Sequence, residues 1–285
     1  MDINQYKATN KLSLAESNTF KLIEDAKKEL KHIRRQISNL QDTMYAHGKY
    51  SMLICLQGMD TSGKDSLIRE VFKDINARGV VVHSFKVPSA RELKHDFLWR
   101  HYIALPERGK IGVFNRTHYE NVLITRVHPE YILGENIPNV KTLDDLTDDF
   151  FRKRMEHINN FERFISDNGT IVLKFFLHIS KEEQKKRLLR RIHQKQKNWK
   201  FSTEDLQERK LWDKYQMYYE DMINNTSTKY APWFIIPSDD KASARLIVAN
   251  TILQTLQSYK DIEEPLLDDE ILARLDDFMD QLEND

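Results

Sequence analysis

Five short apolar runs, set apart by longer stretches of helical spacing, confine this chain to a narrow group of folds. The runs cover residues 52–56, 80–85, 111–114, 171–179 and 233–236. Continuous apolar character without alternation predicts strands buried on both faces of a parallel sheet. The intervening segments 64–77, 90–104, 117–126, 143–166, 180–196 and 203–224 read as helices. Strands alternating with helices imply an α/β sandwich, a parallel sheet covered on both sides. Upstream, Leu30, Ile33, Ile37, Leu40 and Met44 recur at spacings of three and four, which predicts one amphipathic helix over residues 16–47. Lys27, Lys28, Lys31, Arg34 and Arg35 crowd its other side, as a solvated face or as an anion-facing stripe. Leu246, Ile247 and Val248 open a further helix, and Leu267, Ile271, Leu275, Phe278 and Leu282 form a helical stripe beyond Pro265.

The first run leads directly into Gly58, Met59, Asp60, Thr61, Ser62, Gly63 and Lys64, and a helical segment follows. This is the G-x4-G-K core of a phosphate-binding loop in its strand–loop–helix setting. Glycines let successive backbone N–H groups curl around phosphate oxygens, and the helix N-terminus adds a favourable dipole. Lys64 supplies a point charge for terminal phosphates. The position after the lysine, commonly a Ser or Thr that binds Mg²⁺, is Asp65 here, with Ser66 one step later. Asp60 places a carboxylate beside the phosphates. A bare carboxylate there would repel a polyanion, whereas a carboxylate holding Mg²⁺ would not, so Asp60 is a candidate metal ligand; the other reading is a loop cap.

The third run ends in Asn115, Arg116, Thr117, His118, Tyr119 and Glu120. Ligands of doubly wound sheets sit beyond the carboxyl ends of the strands, which brings Asn115, Arg116 and Glu120 near Lys64. Arg116 can clamp a phosphate with two parallel hydrogen bonds, and Glu120 can bind metal or orient a nucleotide. Residues 181–200 hold nine bases and two acids, a net +7. Such density suits a lid closing over phosphates, with Arg187, Arg191 and Lys195 as candidate contacts; the alternative is a solvated surface helix. The helix breaks around residues 198–201, and Ser202 with Asp205 reads as a capping-box-like restart. Trp212, Tyr215 and Tyr219 read as core ahead of a base-stacking platform. His118, His178 and His193 lack metal-ligand partners at useful spacing.

Charge sharpens the picture. The chain has 44 Lys plus Arg against 44 Asp plus Glu, which argues against a globally basic nucleic-acid binder. Residues 261–285 contain eleven acids and one base, a tail of −10, and residues 1–260 carry the matching +10. The tail's stripe predicts a helix docked on the body or on a neighbouring subunit. No apolar run is long enough to span a bilayer, which takes about 18 residues. The lone Cys55 fits a reducing cytoplasm.

Taken together, GMDTSGKD, FKVPSARELKHDFLWRHYIALPERGKIGVFNRTHYENVL, KRLLRRIHQKQKNWKFSTEDLQERKLWDKY and APWFIIPSDDKASARL resemble the polyphosphate kinase 2 family over about residues 58–253. Asn115 and Glu120 resemble its class III, where the other classes carry FDRSWYN. The resemblance implies a thymidylate-kinase-like P-loop kinase fold, a three-layer α/β/α sandwich with a parallel central sheet and a helical lid. The implied organisation is an N-terminal helical segment at 1–48, a kinase domain at 49–260 with its lid at about 181–215, and an acidic helix at 261–285. The implied activity is reversible phosphoryl transfer from inorganic polyphosphate to ADP or AMP. Asp60 and Glu120 would hold Mg²⁺, with Mn²⁺ as a substitute. Lys64, Arg116 and Arg191 would neutralise charge on the transferred group. Adenine nucleotides are the expected acceptors, with guanine as the second choice, and the family implies a homo-oligomer, dimer or tetramer. Two rivals stand beside this reading: an ATP-dependent nucleoside monophosphate kinase, and a non-catalytic P-loop protein that binds polyanions.

Overall fold

All five strands form. In the computed structural model, which describes residues 1–8, 11–200 and 202–285 without the side chains of Lys197, Trp199 and Lys200, they are β1 (Ser51–Gln57), β2 (Val80–Ser84), β3 (Ile111–Asn115), β4 (Thr170–His178) and β5 (Trp233–Pro237). They make one fully parallel sheet in the order β2-β3-β1-β4-β5. Every residue of β1 is buried, which explains its unbroken apolar character. β2 departs from that expectation. As an edge strand it leaves Val81 and Val82 exposed, so its apolar run reflects strand propensity without double burial. At the other edge Lys7 pairs antiparallel with Phe234.

The helices are α1 (Ala26–His47), α2 (Lys64–Val71), α3 (Trp99–Tyr102), α4 (Glu120–Val127), α5 (Glu130–Leu133), α6 (Asp148–Asp167), α7 (Lys181–His193), α8 (Thr203–Lys210), α9 (Trp212–Thr226), α10 (Lys241–Ser258), α11 (Asp269–Leu272) and α12 (Leu275–Glu283). α1, α2 and α10 cover one face of the sheet, packing Leu30, Ile37, Val71 and Leu246 against Ile54, Leu173 and Phe175. α4, α6 and α9 cover the other, where Val122, Ile158 and Tyr219 meet Phe176. The result is the three-layer sandwich implied by the alternation of elements.

Helix boundaries differ where tertiary partners compete with helical spacing. α1 starts at Ala26 and not at residue 16, because Asp25 adopts φ 54° and the preceding segment pairs with the loop after β5 and the first turn of α10. There Asp239 N–H donates to the Thr19 carbonyl (2.9 Å), and Ile23 N–H donates to Ser243 Oγ (2.9 Å). α2 ends at Val71, short of residue 77, and residues 90–104 hold only a short turn and α3. α6 begins at Asp148, capped by the Thr147 side chain. The expected helix over 203–224 is two, α8 and α9. No residue of 263–285 is buried. The tail touches the body at Asp261 and Ile262, and beyond them it is helical without a buried residue.

Candidate active site

The phosphate-binding loop turns between β1 and α2, at the centre of the sheet. Gly58 has φ 148°, and a Cβ there would stand 2.8 Å from the Leu177 carbonyl oxygen and 2.9 Å from Ser62 Oγ. Only glycine fits that approach. Gly63, at φ 111°, turns the chain into α2, and Ser66 Oγ donates to its carbonyl (2.9 Å). Lys64 Nζ donates to the Gly58 and Met59 carbonyls at 2.6 and 3.3 Å, folded over the rim of the loop. Burial lowers its pKa, with the Asp60 carboxylate the strongest opposing influence. The hydroxyls of Thr61 and Ser62 are buried without a hydrogen-bond partner. Such groups are costly unless something accepts from them.

Across the cleft lies the loop from β3 to α4. Arg116 Nη2 stands 3.2 Å from Asp60 Oδ1, joining the two loops. Burial disfavours its charge, but Glu120 and Asp60 outweigh that and raise its pKa. Glu120 Oε1 accepts from Gln57 Nε2 at 3.0 Å. Asn115 Nδ2 donates to Asp65 Oδ1 at 2.8 Å, tying the end of β3 to the first turn of α2.

The third wall comes from the basic run. Lys181, Lys185, Lys186 and Arg190 are exposed on α7, but Arg187 is only 4% exposed. Its guanidinium donates to the carbonyls of Thr61 (3.0 Å), Ser62 (2.8 Å), Ser238 (2.6 Å) and Asp239 (3.1 Å) and to Glu183 Oε1 (2.7 Å). In this conformation it braces the phosphate-binding loop from behind. Arg191 Nη1 donates to Asp205 Oδ2 (3.0 Å), which lines the cleft. The expected capping-box-like restart is seen at Ser202, whose backbone also hydrogen-bonds the Asp205 carboxylate. The Ser202 side chain accepts from Glu204 N–H, and the Asp205 carboxylate is shared with Arg191. Lys195 is exposed on the short turn after α7 and does not line the cleft. The expected break at residues 198–201 includes Phe201, which lies outside the described residues.

Residues 21–264 match the family model described as "Polyphosphate kinase 2 (PPK2)". The chain belongs to the polyphosphate kinase 2 family. It is 49% identical over 225 residues to the ADP-polyphosphate phosphotransferase of Rhodopseudomonas palustris, covering 79% of this chain and 77% of that one. It is 43% identical over 225 residues to the AMP/ADP-polyphosphate phosphotransferase of Meiothermus ruber, covering 79% of each. Among solved structures, polyphosphate kinase 2 from Arthrobacter aurescens TC1 superimposes with a TM-score of 0.87 at 32% identity, covering 97% of this chain and 95% of that one.

In this polyphosphate kinase 2 chain the structure gathers Gly58, Met59, Asp60, Lys64, Arg116 and Glu120 around one cleft open to solvent. It adds residues that sequence reasoning did not select: Leu123 and Ile124 of α4, Gln184 of α7, and Asp205 and Glu208 of α8. Tyr215 and Tyr219 are core residues, as expected, and their edges also reach the cleft. Tyr215 is held by a hydrogen bond to Glu208 (2.5 Å). Gln57, the last residue of β1, does not line the cleft but is buried and donates to Thr117 and Glu120. Gln184, Asp205 and Glu208 carried no local signal, because only the fold of the lid brings α7 and α8 over the loop.

Among the described residues no three His, Cys, Asp or Glu side chains are assembled to hold a metal ion. Asp60 and Glu120 each bring one carboxylate to the cleft. Mg²⁺ commonly takes one or two carboxylates and fills its remaining positions with water and substrate phosphates. The donor set therefore fits a substrate-assisted metal site.

Proposed function

We propose that this protein transfers phosphoryl groups between inorganic polyphosphate and adenine nucleotides, making ATP from ADP or ADP from AMP. The observation that carries the reading is the cleft itself. Lys64 and Arg116 converge on one space with the carboxylates of Asp60 and Glu120, in a chain of the polyphosphate kinase 2 family. Phosphoryl transfer asks a protein mainly for positioning and charge neutralisation, and these residues provide both.

In the reaction, an oxygen of the acceptor's terminal phosphate attacks the end phosphorus of polyphosphate in line. The new P–O bond forms as the bond to the penultimate phosphate breaks, and the chain leaves one unit shorter. No covalent enzyme intermediate is needed, and the same geometry runs in reverse. Lys64 turns from the loop carbonyls to the transferred group. Arg116 exchanges its Asp60 partner for phosphate oxygens, which frees Asp60 for a cation. Mg²⁺, for which Mn²⁺ can substitute, would be held by Asp60 and Glu120 and would neutralise charge across the phosphates. Arg191, near the end of α7, turns from Asp205 to the phosphates. The exposed bases of α7 supply a track for a polymer with about one charge per phosphate, so binding weakens with salt. The buried Cys55 supports a reducing, cytoplasmic setting, and the exposed apolar side of α12 supports a homo-oligomer.

The test is to mix protein, Mg²⁺, ADP or AMP and polyphosphate without ATP and to measure ATP or ADP formed. No product from either acceptor overturns the reading. Product only when ATP is the donor and a nucleoside monophosphate the acceptor selects a conventional nucleotide kinase.

A further inference from the structure

Beneath the cleft lies a set of charged and polar groups that touches no ligand space. Lys174 sits in the middle of β4, on the face covered by α4, α6 and α9, and Glu162 comes from α6; the side chains of both are 0% exposed. Lys174 Nζ donates to Glu162 Oε2 (2.6 Å), to Tyr119 Oη (2.7 Å) and to the Thr226 carbonyl (2.6 Å). Tyr119 Oη donates to Glu162 Oε1 (2.7 Å), and His118 Nε2 lies 3.0 Å from the same oxygen. Burial pushes the Glu162 carboxyl up, but Lys174 and His118 outweigh it and hold it below the usual carboxylate range.

A buried ion pair is a poor device for stability alone, because desolvation cancels most of the attraction. Its other attachments suggest a different role. Thr117, His118 and Tyr119 are the residues between Arg116 and Glu120. Arg116 has φ 60°, a left-handed backbone for a bulky residue without the excuse of glycine. Such a conformation costs on the order of 1–3 kcal/mol and persists only where the surroundings over-determine it. The surroundings here are unusually complete. Thr117 Oγ1 accepts from Tyr119 N–H and from Gln57 Nε2, both at 3.1 Å, and the Glu162–Lys174 pair grips the two residues that follow.

We propose that Glu162, with Lys174, is the positioning residue of this loop. By anchoring His118 and Tyr119 it holds Arg116 in its strained conformation and fixes the direction of Glu120. The inference deepens the transfer reading above and rests on it for the roles of Arg116 and Glu120.

The test is the double variant Glu162→Leu/Lys174→Met, which replaces the pair with apolar groups and orphans neither charge, together with Tyr119→Phe, which removes one hydroxyl and leaves the pair intact. The double variant should melt at or above the wild-type temperature, lose at least tenfold in kcat, and keep KM for both substrates within about threefold. Tyr119→Phe should lose about three- to tenfold in kcat on the same terms. Amide hydrogen exchange, which needs no substrate, should quicken at residues 116–120 in both variants and not across the sheet. Wild-type kcat together with unchanged exchange in folded Tyr119→Phe overturns the proposal, whether or not the double variant folds. Loss of melting temperature with kcat retained overturns it as well, since that is what a purely structural pair would give. If wild-type protein shows no transfer, the functional reading fails, and local exchange alone decides whether the pair holds the loop.

Discussion

The guanidinium of Arg187 lies 2.8 Å from the carbonyl oxygen of Ser62, so the first helix of the basic lid is fastened to the back of the phosphate-binding loop. The same side chain reaches Ser238 and Asp239 after β5, joining two loops at the carboxyl edge of the sheet to α7. Arg187→Lys keeps the charge but cannot fill this fork. We expect it to melt earlier, by about 1–3 kcal/mol for the carbonyls left without donors, and to turn over more slowly. A Lys variant with wild-type melting and kcat would refute the brace.

Lys64 is half-buried in the loop and bonded to its carbonyls in the resting state. Lys64→Ala should stay folded, because the carbonyls it leaves can turn to water in an open cleft. Turnover should fall by about 10²–10³-fold, the usual loss when one preorganised charge on a transition state is deleted. Activity near wild type would show that Lys64 is not at the reacting phosphate.

Asn115 is where the family's other classes carry an acid, and here its amide donates to Asp65 at 2.8 Å. Asn115→Asp would set two carboxylates against each other at that distance. The expected result is a lower melting temperature in chelator, recovered when divalent metal is added. Equal melting with and without metal in the variant would remove this role for Asn115.

Lys241, at the start of α10, has its pKa lowered to about 8 by burial first and then by Arg187, Arg190 and Arg245. Below that value the folded state carries a disfavoured charge that the unfolded chain does not resist until about 10.5. As pH rises between the two values the unfolded chain binds more protons than the native state, and stability from this group rises. Lys241→Met should therefore raise the melting temperature at pH 7, with the gain shrinking as pH climbs past 8. A gain that is constant over pH 7–10 would sink the assignment.

The acidic tail offers a separate test. Asp261 bonds to Tyr50 Oη (2.6 Å) and Ile262 packs partly on the core, but residues beyond them are not buried. Removing residues 263–285 should leave the melting temperature unchanged and turn the neutral chain strongly positive. Salt-sensitive binding to RNA should then increase. Unchanged RNA binding would show that the tail does not screen the body, and loss of assembly would place it against a neighbouring subunit.

What could be read from the chain alone followed local rules. The five apolar runs declared a parallel sheet because strands buried on both faces cannot alternate, and β1 is the extreme case. Gly58 to Lys64 declared a phosphate site because its glycines and its place between strand and helix are needed at fixed sequence positions. Residues 16–25 misled because their helical spacing loses to hydrogen bonds with Asp239 and Ser243, partners more than 200 residues away in the chain. Arg187 could be selected as basic, but nothing local distinguished it from the exposed lysines around it. Only packing decides which base of a helix turns inward. The same holds for Glu162 and Lys174, whose charges suggest surface positions until the fold closes around them. Composition determined that the chain carries enough positive charge for a polyanion, masked by an acidic tail. Tertiary structure decided where each charge sits, because burial and pairing depend on residues that the chain brings together from far apart.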